Sequence, residues 1–378
     1  MKNLMIVLLA GVFCISAAYS VNTAEIESLR QRTQGASSEL TSSDKSVVAK
    51  FWTDALNQML LSKSSNEIVE IRRQLETQKG DNHLSYYATA YITQAKTEIQ
   101  EAFQNVARLE DAEQRQMLEQ NLMILVANLQ SPQLAPLALQ YLDDKDAVVW
   151  YWAFKTVTQS AIIQQLTAEV TRDEQTTKAI LNALEAQAAT GLYPETQKMV
   201  VIFCAAFDQL KARDILLSIA TSRIAAYKNW TVNDESPDAV LLTVLGTIAE
   251  QNPDPEIKKV FGRTFAELYA LVIQRYLQGK DTFSSEHIDR LLTVIAEVDQ
   301  TVLDKIMGIK TRILDSLRRG QGLDVQYDTL LGNQTFQGQL AEKFQFDYGK
   351  DASGKPLTAP PKLGPKPEET KEPAETEM

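Results

Sequence analysis

Apolar residues recur at three- and four-residue steps over most of the chain. Val47, Val48, Phe51, Trp52, Ala55 and Met59 form one such series, and Leu84, Tyr87, Tyr91, Ala95, Ile99 and Phe103 another. At 3.6 residues per turn each series gathers on one helix face, whereas a strand would alternate with a period of two. The pattern predicts helices over 44–61, 65–78, 82–107, 111–129, 133–142, 145–159, 173–188, 195–209, 211–227, 237–251, 255–277, 284–297 and 299–319. Start signals sit where the stripes begin. Ser64 and Glu67 have capping-box spacing ahead of Ile68, Ile71 and Leu75, and Pro194 suits the first turn of a helix running through Val200. Ser236-Pro237 and Asn252-Pro253-Asp254-Pro255 mark breaks before further helices. Turn formers are scarce: between Gly35 and Gly191 the only glycine is Gly80, and no proline precedes Pro132. An all-α fold is therefore expected, with short connections that favour antiparallel neighbours.

Both ends depart from this pattern. Lys2 is followed by an apolar run, Leu4 to Ile15, and then by Ser16, Ala17, Ala18, Tyr19 and Ser20. That order matches a secretory signal peptide over residues 1–20, with small residues placed for cleavage after Ala18 or Ser20. The apolar run is shorter than the roughly 20 residues a bilayer-spanning helix needs. Phe13 precedes Cys14 where a lipidation signal needs a small residue, so an extracytoplasmic, periplasmic or secreted location is expected, with no membrane insertion after cleavage. At the other end, Pro356, Pro360, Pro361, Pro365, Pro367 and Pro373 stand among lysines, glutamates and threonines, so residues 350–378 read as a disordered Pro/Lys/Glu-rich tail.

The segment Leu134 to Val157 resembles a HEAT-repeat junction. Leu137, Leu139 and Leu142 supply a first helix, Asp143, Asp144 and Asp146 an acidic turn, and Val149, Ala153 and Val157 the inward positions of a second helix. Trp150 stands where that family commonly carries arginine. Helix pairs beginning near Asp173, Lys211 and Pro255 continue the rhythm at about 40 residues, a period of HEAT and armadillo units. The resemblance implies a right-handed α-solenoid of antiparallel helix pairs, used for binding and with no activity of its own. The expected organisation is a helical cap over 21–109, a repeat array over 110–320, a capping segment over 321–349 and then the tail.

Charge and chemistry narrow the function. The net charge of −11 becomes −12 once Lys2 leaves with the leader, which disfavours nucleic acid. Cys204 alone remains after cleavage, so no internal disulfide is possible, and its apolar surroundings, Met199 to Phe207, suit a buried thiol. His83, His287 and Cys204 lack metal-ligand spacing. Gly279-Lys280-Asp281-Thr282 lacks the earlier glycine and the hydroxyl of a phosphate loop, and Asp144-Lys145-Asp146 lacks the glycine and glutamate of a calcium loop. No catalytic residue, cofactor or metal is implied. Asn229-Trp230-Thr231 and Asn333-Gln334-Thr335 match the glycosylation sequon.

Trp150, Tyr151, Trp152 and Phe154 are the most informative cluster. Trp152 shares a helix face with Val149 and Thr156 and reads as core, while Trp150 and Phe154, four apart, either pack on the adjoining repeat or form an exposed anchor. Trp150, Phe154 and Tyr151 are accordingly the candidate partner-binding residues. The function expected is a non-catalytic scaffold that binds a protein or an envelope polymer. Two alternatives stay open: a helical-toroid hydrolase or lyase acting on envelope polysaccharide through paired carboxylates, and a self-assembling structural component.

Overall fold

The computed structural model describes residues 21–33 and 38–365. The expected signal peptide and residues 366–378 of the expected tail lie outside the described residues. No strand occurs among the described residues, whose only β-type pairings are isolated bridges between Gly332 and Gln337 and between Lys350 and Pro356. The all-α expectation therefore holds.

The chain divides into two compact units between Leu137 and Ala138. The first contains α1 (Ala24–Thr33), α2 (Ser42–Leu61), α3 (Ser65–Thr77), α4 (Tyr86–Val106) and α5 (Ala112–Asn128). A short α6 (Ala135–Ala138) spans the division. The second unit holds α7 (Ala147–Thr158), α8 (Ser160–Thr167), α9 (Glu174–Thr190), α10 (Pro194–Ala205), α11 (Leu210–Lys228), α12 (Ser236–Gln251) and α13 (Pro255–Gly279). It continues with α14 (Ser285–Glu297), a π-helical stretch (Val298–Ile306), α15 (Ile313–Arg319), α16 (Leu323–Leu331) and α17 (Gln339–Phe344). Helix α5 belongs to the first unit, where it packs on α3 and α4.

The caps explain where helices begin. The Thr41 hydroxyl accepts from the Asp44 amide while the Asp44 carboxylate accepts from the Thr41 amide, a reciprocal capping box. Ser64, Ser85, Asp111, Asp146, Asp173, Asp254 and Ser284 each accept from an amide in the first turn of the helix they precede.

In the first unit the predicted stripes become the core. Phe51, Trp52, Ala55 and Met59 of α2 meet Tyr87, Tyr91, Ala95 and Ile99 of α4, and all of them are buried, whereas Leu84 lies outside α4 and is exposed. The Trp52 and Tyr91 rings pack 5.0 Å apart. The Tyr91 hydroxyl donates to the Leu75 carbonyl at 2.6 Å, so burying its polar end leaves nothing unpaired, and burial pushes this phenol far above its ordinary pKa.

Packing in both units links alternate as well as consecutive helices. In the first unit α2 packs on α4 and α3 on α5. In the second, α10 packs on α12 and α11 on α9 and α13, whereas the contacts of α7 with α10, of α12 with the π-helical stretch and of α13 with α17 skip two or more helices. Gly246 of α12 permits one of these approaches, since a Cβ there would sit 2.3 Å from Val302 Cγ1. Phe344 of α17 covers Gly262 of α13 in the same way, at 2.8 Å from where a Cβ would be.

Several expected helices differ in form. The one over 133–142 breaks into a 3₁₀ turn at Pro132–Leu134, the short α6 and another 3₁₀ turn at Leu139–Tyr141, since Pro136 supplies no amide donor. The one over 299–319 divides at Gly308, whose φ of +70° no continuing helix accepts. The helices α1, α8, α16 and α17 were not expected at all. The largest correction concerns the tail: residues 350–365 are held against α13 and the loop before α12, through contacts described below.

Candidate functional site

The aromatic cluster on α7 is less exposed than a docking anchor requires. Phe154 is completely buried, which removes it from the candidate partner-binding residues. Trp150 is half-buried and packs edge-on against Phe154 at 5.1 Å and Tyr193 at 5.0 Å, where α10 begins. Tyr151 and Trp152 are half-buried and edge-on to one another, with Lys155 Nζ 4.2 Å above the Trp152 ring. Of the two placements expected for Phe154 the packed one is found, whereas Trp152, expected in the core, is only half-buried. Val149, Ala153 and Val157 are buried as expected. Cys204 is buried too, and desolvation pushes its thiol up to about 12.

A different region concentrates polar groups inside the protein. Asp238, in the first turn of α12, is fully buried and paired with Arg223 of α11 through two hydrogen bonds of 2.7 and 2.6 Å. The Tyr227 hydroxyl donates to the same carboxylate at 2.6 Å. Desolvation pushes the Asp238 carboxyl up, and Arg223 and Tyr227 pull it back. Glu235 is also fully buried and is flanked by a histidine and two arginines: His287 Nε2 lies 2.6 Å away, Arg290 Nε 3.3 Å and Arg275 Nε 3.9 Å. Side chains from three other helices, α11, α13 and α14, thus converge on two carboxylates at the start of α12.

This ionic cluster sets the shape of the loop between α11 and α12. Arg223 donates to the Asp234 carbonyl at 2.8 Å and Arg275 to the Val232 carbonyl at 2.5 Å. The Arg275 guanidinium also lies 5.5, 5.3 and 5.4 Å from the Tyr227, Trp230 and Phe283 rings. Trp230 is held at φ +60°, a left-handed conformation that opposes a bulky side chain. Such a residue persists only where its surroundings over-determine it, a condition that accompanies functional positions. Its indole Nε1 donates to the Gly364 carbonyl at 3.0 Å.

Gly364 ends an extended strap that lies along α13. The Gln274 amide donates to the Pro361 carbonyl at 3.3 Å and accepts from the Leu363 amide. One turn further, Gln278 donates to the Leu363 carbonyl at 3.1 Å. Gln274 also donates to the Tyr327 hydroxyl of α16 at 2.6 Å, which fixes its orientation. Pro360 and Leu363 are buried, whereas Pro361 and Lys362 are exposed. Upstream, the Thr358 hydroxyl donates to the Asn333 carbonyl at 2.6 Å, and the backbone pairs Tyr348 with Leu357 and Leu357 with Gly349. A left-handed Gly332, at φ +93°, lets the 332–338 loop lie against the Thr358 carbonyl.

Between α13, α16, this loop and the strap lies a cleft of about 790 Å³. Asp324, Asp328 and Asp351 line it together with Lys355 and Lys362. Asp328 accepts from Asn333 Nδ2 at 3.1 Å. Asp351 accepts from the Ser353 hydroxyl and from the Ser353 and Lys355 amides, which holds its carboxyl below the usual range and ionised, the opposite of what a general acid needs. Among the described residues no group of three or more His, Cys, Asp or Glu is placed to hold a metal ion, and no helix is long and apolar enough to cross a membrane.

Pattern reading overlooked Trp230, Gln274 and Gln278. A signal existed in the two glutamines four apart on α13, because Gln274 follows the apolar run Leu268–Ile273 on a helix otherwise suited to burial. No family model matches this chain, and no curated protein matches it.

Proposed function

We propose that the protein is an exported, non-catalytic helical scaffold that binds a macromolecular partner of the cell envelope. The alternation of helix packing within each unit carries this reading. A helix that contacts its second neighbour along the chain belongs to a layer of stacked helices, and two interleaved layers are the construction of an α-solenoid of HEAT or armadillo type. Such stacks present one layer of helices as a binding surface. Export rests on the order of charge, apolar run and small residues over 1–20.

The test is capture from the native envelope fraction by the immobilised protein, beside a Trp150→Ala/Tyr151→Ala variant of unchanged helicity. One envelope protein retained at a fixed stoichiometry by the unaltered chain is the expected result. Loss of that protein with the variant would place the contact on α7, and retention would place it elsewhere. Capture of nothing from the fraction would overturn the scaffold reading.

A second reading is favoured by one observation, the carboxylates of Asp324 and Asp328 in a cleft of about 790 Å³. A polysaccharide hydrolase or lyase would release new chain ends from envelope glycan and lose that activity in Asp328→Asn, a measurement that separates enzyme from scaffold.

A further inference from the structure

We propose that the face of α13 carrying Gln274 and Gln278, with Trp230 beside it, is a binding site for an extended Pro-Pro-x-Leu peptide, and that residues 360–363 are its resident copy, held in cis. The inference rests on the scaffold reading only in taking the competing ligand to be a segment of another protein.

The recognition is addressed to backbone. A glutamine side-chain amide carries one donor side and one acceptor, the same complement as a peptide unit, and Gln274 uses both, at Pro361 and Leu363. Gln278 and Trp230 donate to the carbonyls of Leu363 and Gly364. Side-chain selection falls on two positions: Pro360 and Leu363 are buried, whereas Lys362 between them points outward and is free to vary. Two successive prolines hold the ligand extended before it binds, which lowers the entropy lost on docking.

The site is built independently of its occupant. Gln274 is oriented by Tyr327 of α16, and Trp230 is held by its own amide bond to the Tyr227 carbonyl and by the Arg275 guanidinium 5.3 Å from its ring, all residues outside the strap. The strap contains no helix. It is preceded by the exposed residues 351–356, so it can leave without uncoiling any helix. A competing segment with proline and leucine at the same spacing would find the same hydrogen bonds, and the adjoining cleft gives its flanks room that the strap leaves unfilled.

The experiment titrates a fluorescein-labelled synthetic peptide of residues 356–365 into the full-length purified protein and follows anisotropy. In the unaltered protein the tethered copy competes at high effective concentration. Leu363→Asp places a charge in the apolar seat and releases the strap, so the peptide should bind that variant about ten-fold or more tightly than the unaltered chain. Adding Gln274→Ala to Leu363→Asp should return binding to the weak level. Equal affinity for the unaltered chain and Leu363→Asp, or indifference to Gln274→Ala, would overturn the proposal. Should Leu363→Asp lose helicity by circular dichroism, Pro360→Ala/Leu363→Ala replaces it under the same criteria. Peptide binding without envelope capture would keep the groove and remove the scaffold reading; capture without peptide binding would do the reverse.

Discussion

At the scale of single residues, the two buried carboxylates matter most for stability. Asp238 is fully enclosed and meets a guanidinium and a phenol, so removing one partner strands a charge where water cannot reach it. Arg223→Ala is expected to cost about 3–5 kcal/mol in urea-unfolding free energy, with the penalty arising from the orphaned acid rather than from the lost contact. Cys204 gives a chemical check on burial. With its thiol pushed up to about 12, it should not react with a disulfide reagent at neutral pH in the folded protein and should react fully in denaturant. Asp173 behaves in the opposite way because it is exposed and caps α9. The Thr176 hydroxyl and amide hold its carboxyl below the usual 3.8, so its contribution is complete above that value and is lost as pH falls through the lowered one. Asp173→Ala should therefore destabilise by about 0.5–2 kcal/mol at pH 7, with the gap from the unaltered protein closing in acid.

At the scale of elements, close approach of helices explains an unusual expectation for glycine. Replacing a mid-helix glycine by alanine ordinarily stabilises by about 1 kcal/mol. At Gly246 the new methyl would lie 2.3 Å from Val302 Cγ1, so Gly246→Ala should instead destabilise, by about 1–3 kcal/mol, and lower the thermal midpoint. The same scale shows why some helices were legible and others were not. The α2 and α4 stripes are long enough for periodicity to emerge, and Ser64, Asp111 and Asp254 mark starts through their own side chains. By contrast α8, α16 and α17 are eight, nine and six residues long. About two and a half turns or fewer hold too few apolar positions to separate a helical period from a loop, and such helices owe their stability to tertiary packing. On α7, periodicity located an apolar face but misplaced Trp152 in the core, because Phe154 and Trp152 lie on nearly opposite faces and only the neighbouring helices decide which one is covered.

At the scale of the whole molecule, the strap makes the C-terminal segment part of the folded unit. In hydrogen exchange the Leu357 and Leu363 amides should be protected, since one donates to the Gly349 carbonyl and the other to Gln274; Gln274→Ala should speed exchange at Leu363 while leaving α13 protected. Composition pointed the other way, because proline-rich polar sequence lacks the apolar surface that drives independent folding. That inference fails here because two anchors, Pro360 and Leu363, enter a seat prepared by residues about 90 positions earlier, and no local window contains both partners. The sequence by itself determined the helical class, the main helices with their caps, the burial of Cys204 and the buried face of α7 at Val149, Ala153 and Val157. These follow from backbone geometry, side-chain periodicity and local hydrogen bonding, all of which act within a few residues. Only the tertiary structure decided the division after Leu137, the burial of Glu235 and Asp238 among arginines from other helices, the left-handed Trp230 and the docking of the strap. Each of these depends on groups distant along the chain meeting in a water-excluded space, where hydrogen-bond complementarity and desolvation, rather than residue order, select the partner.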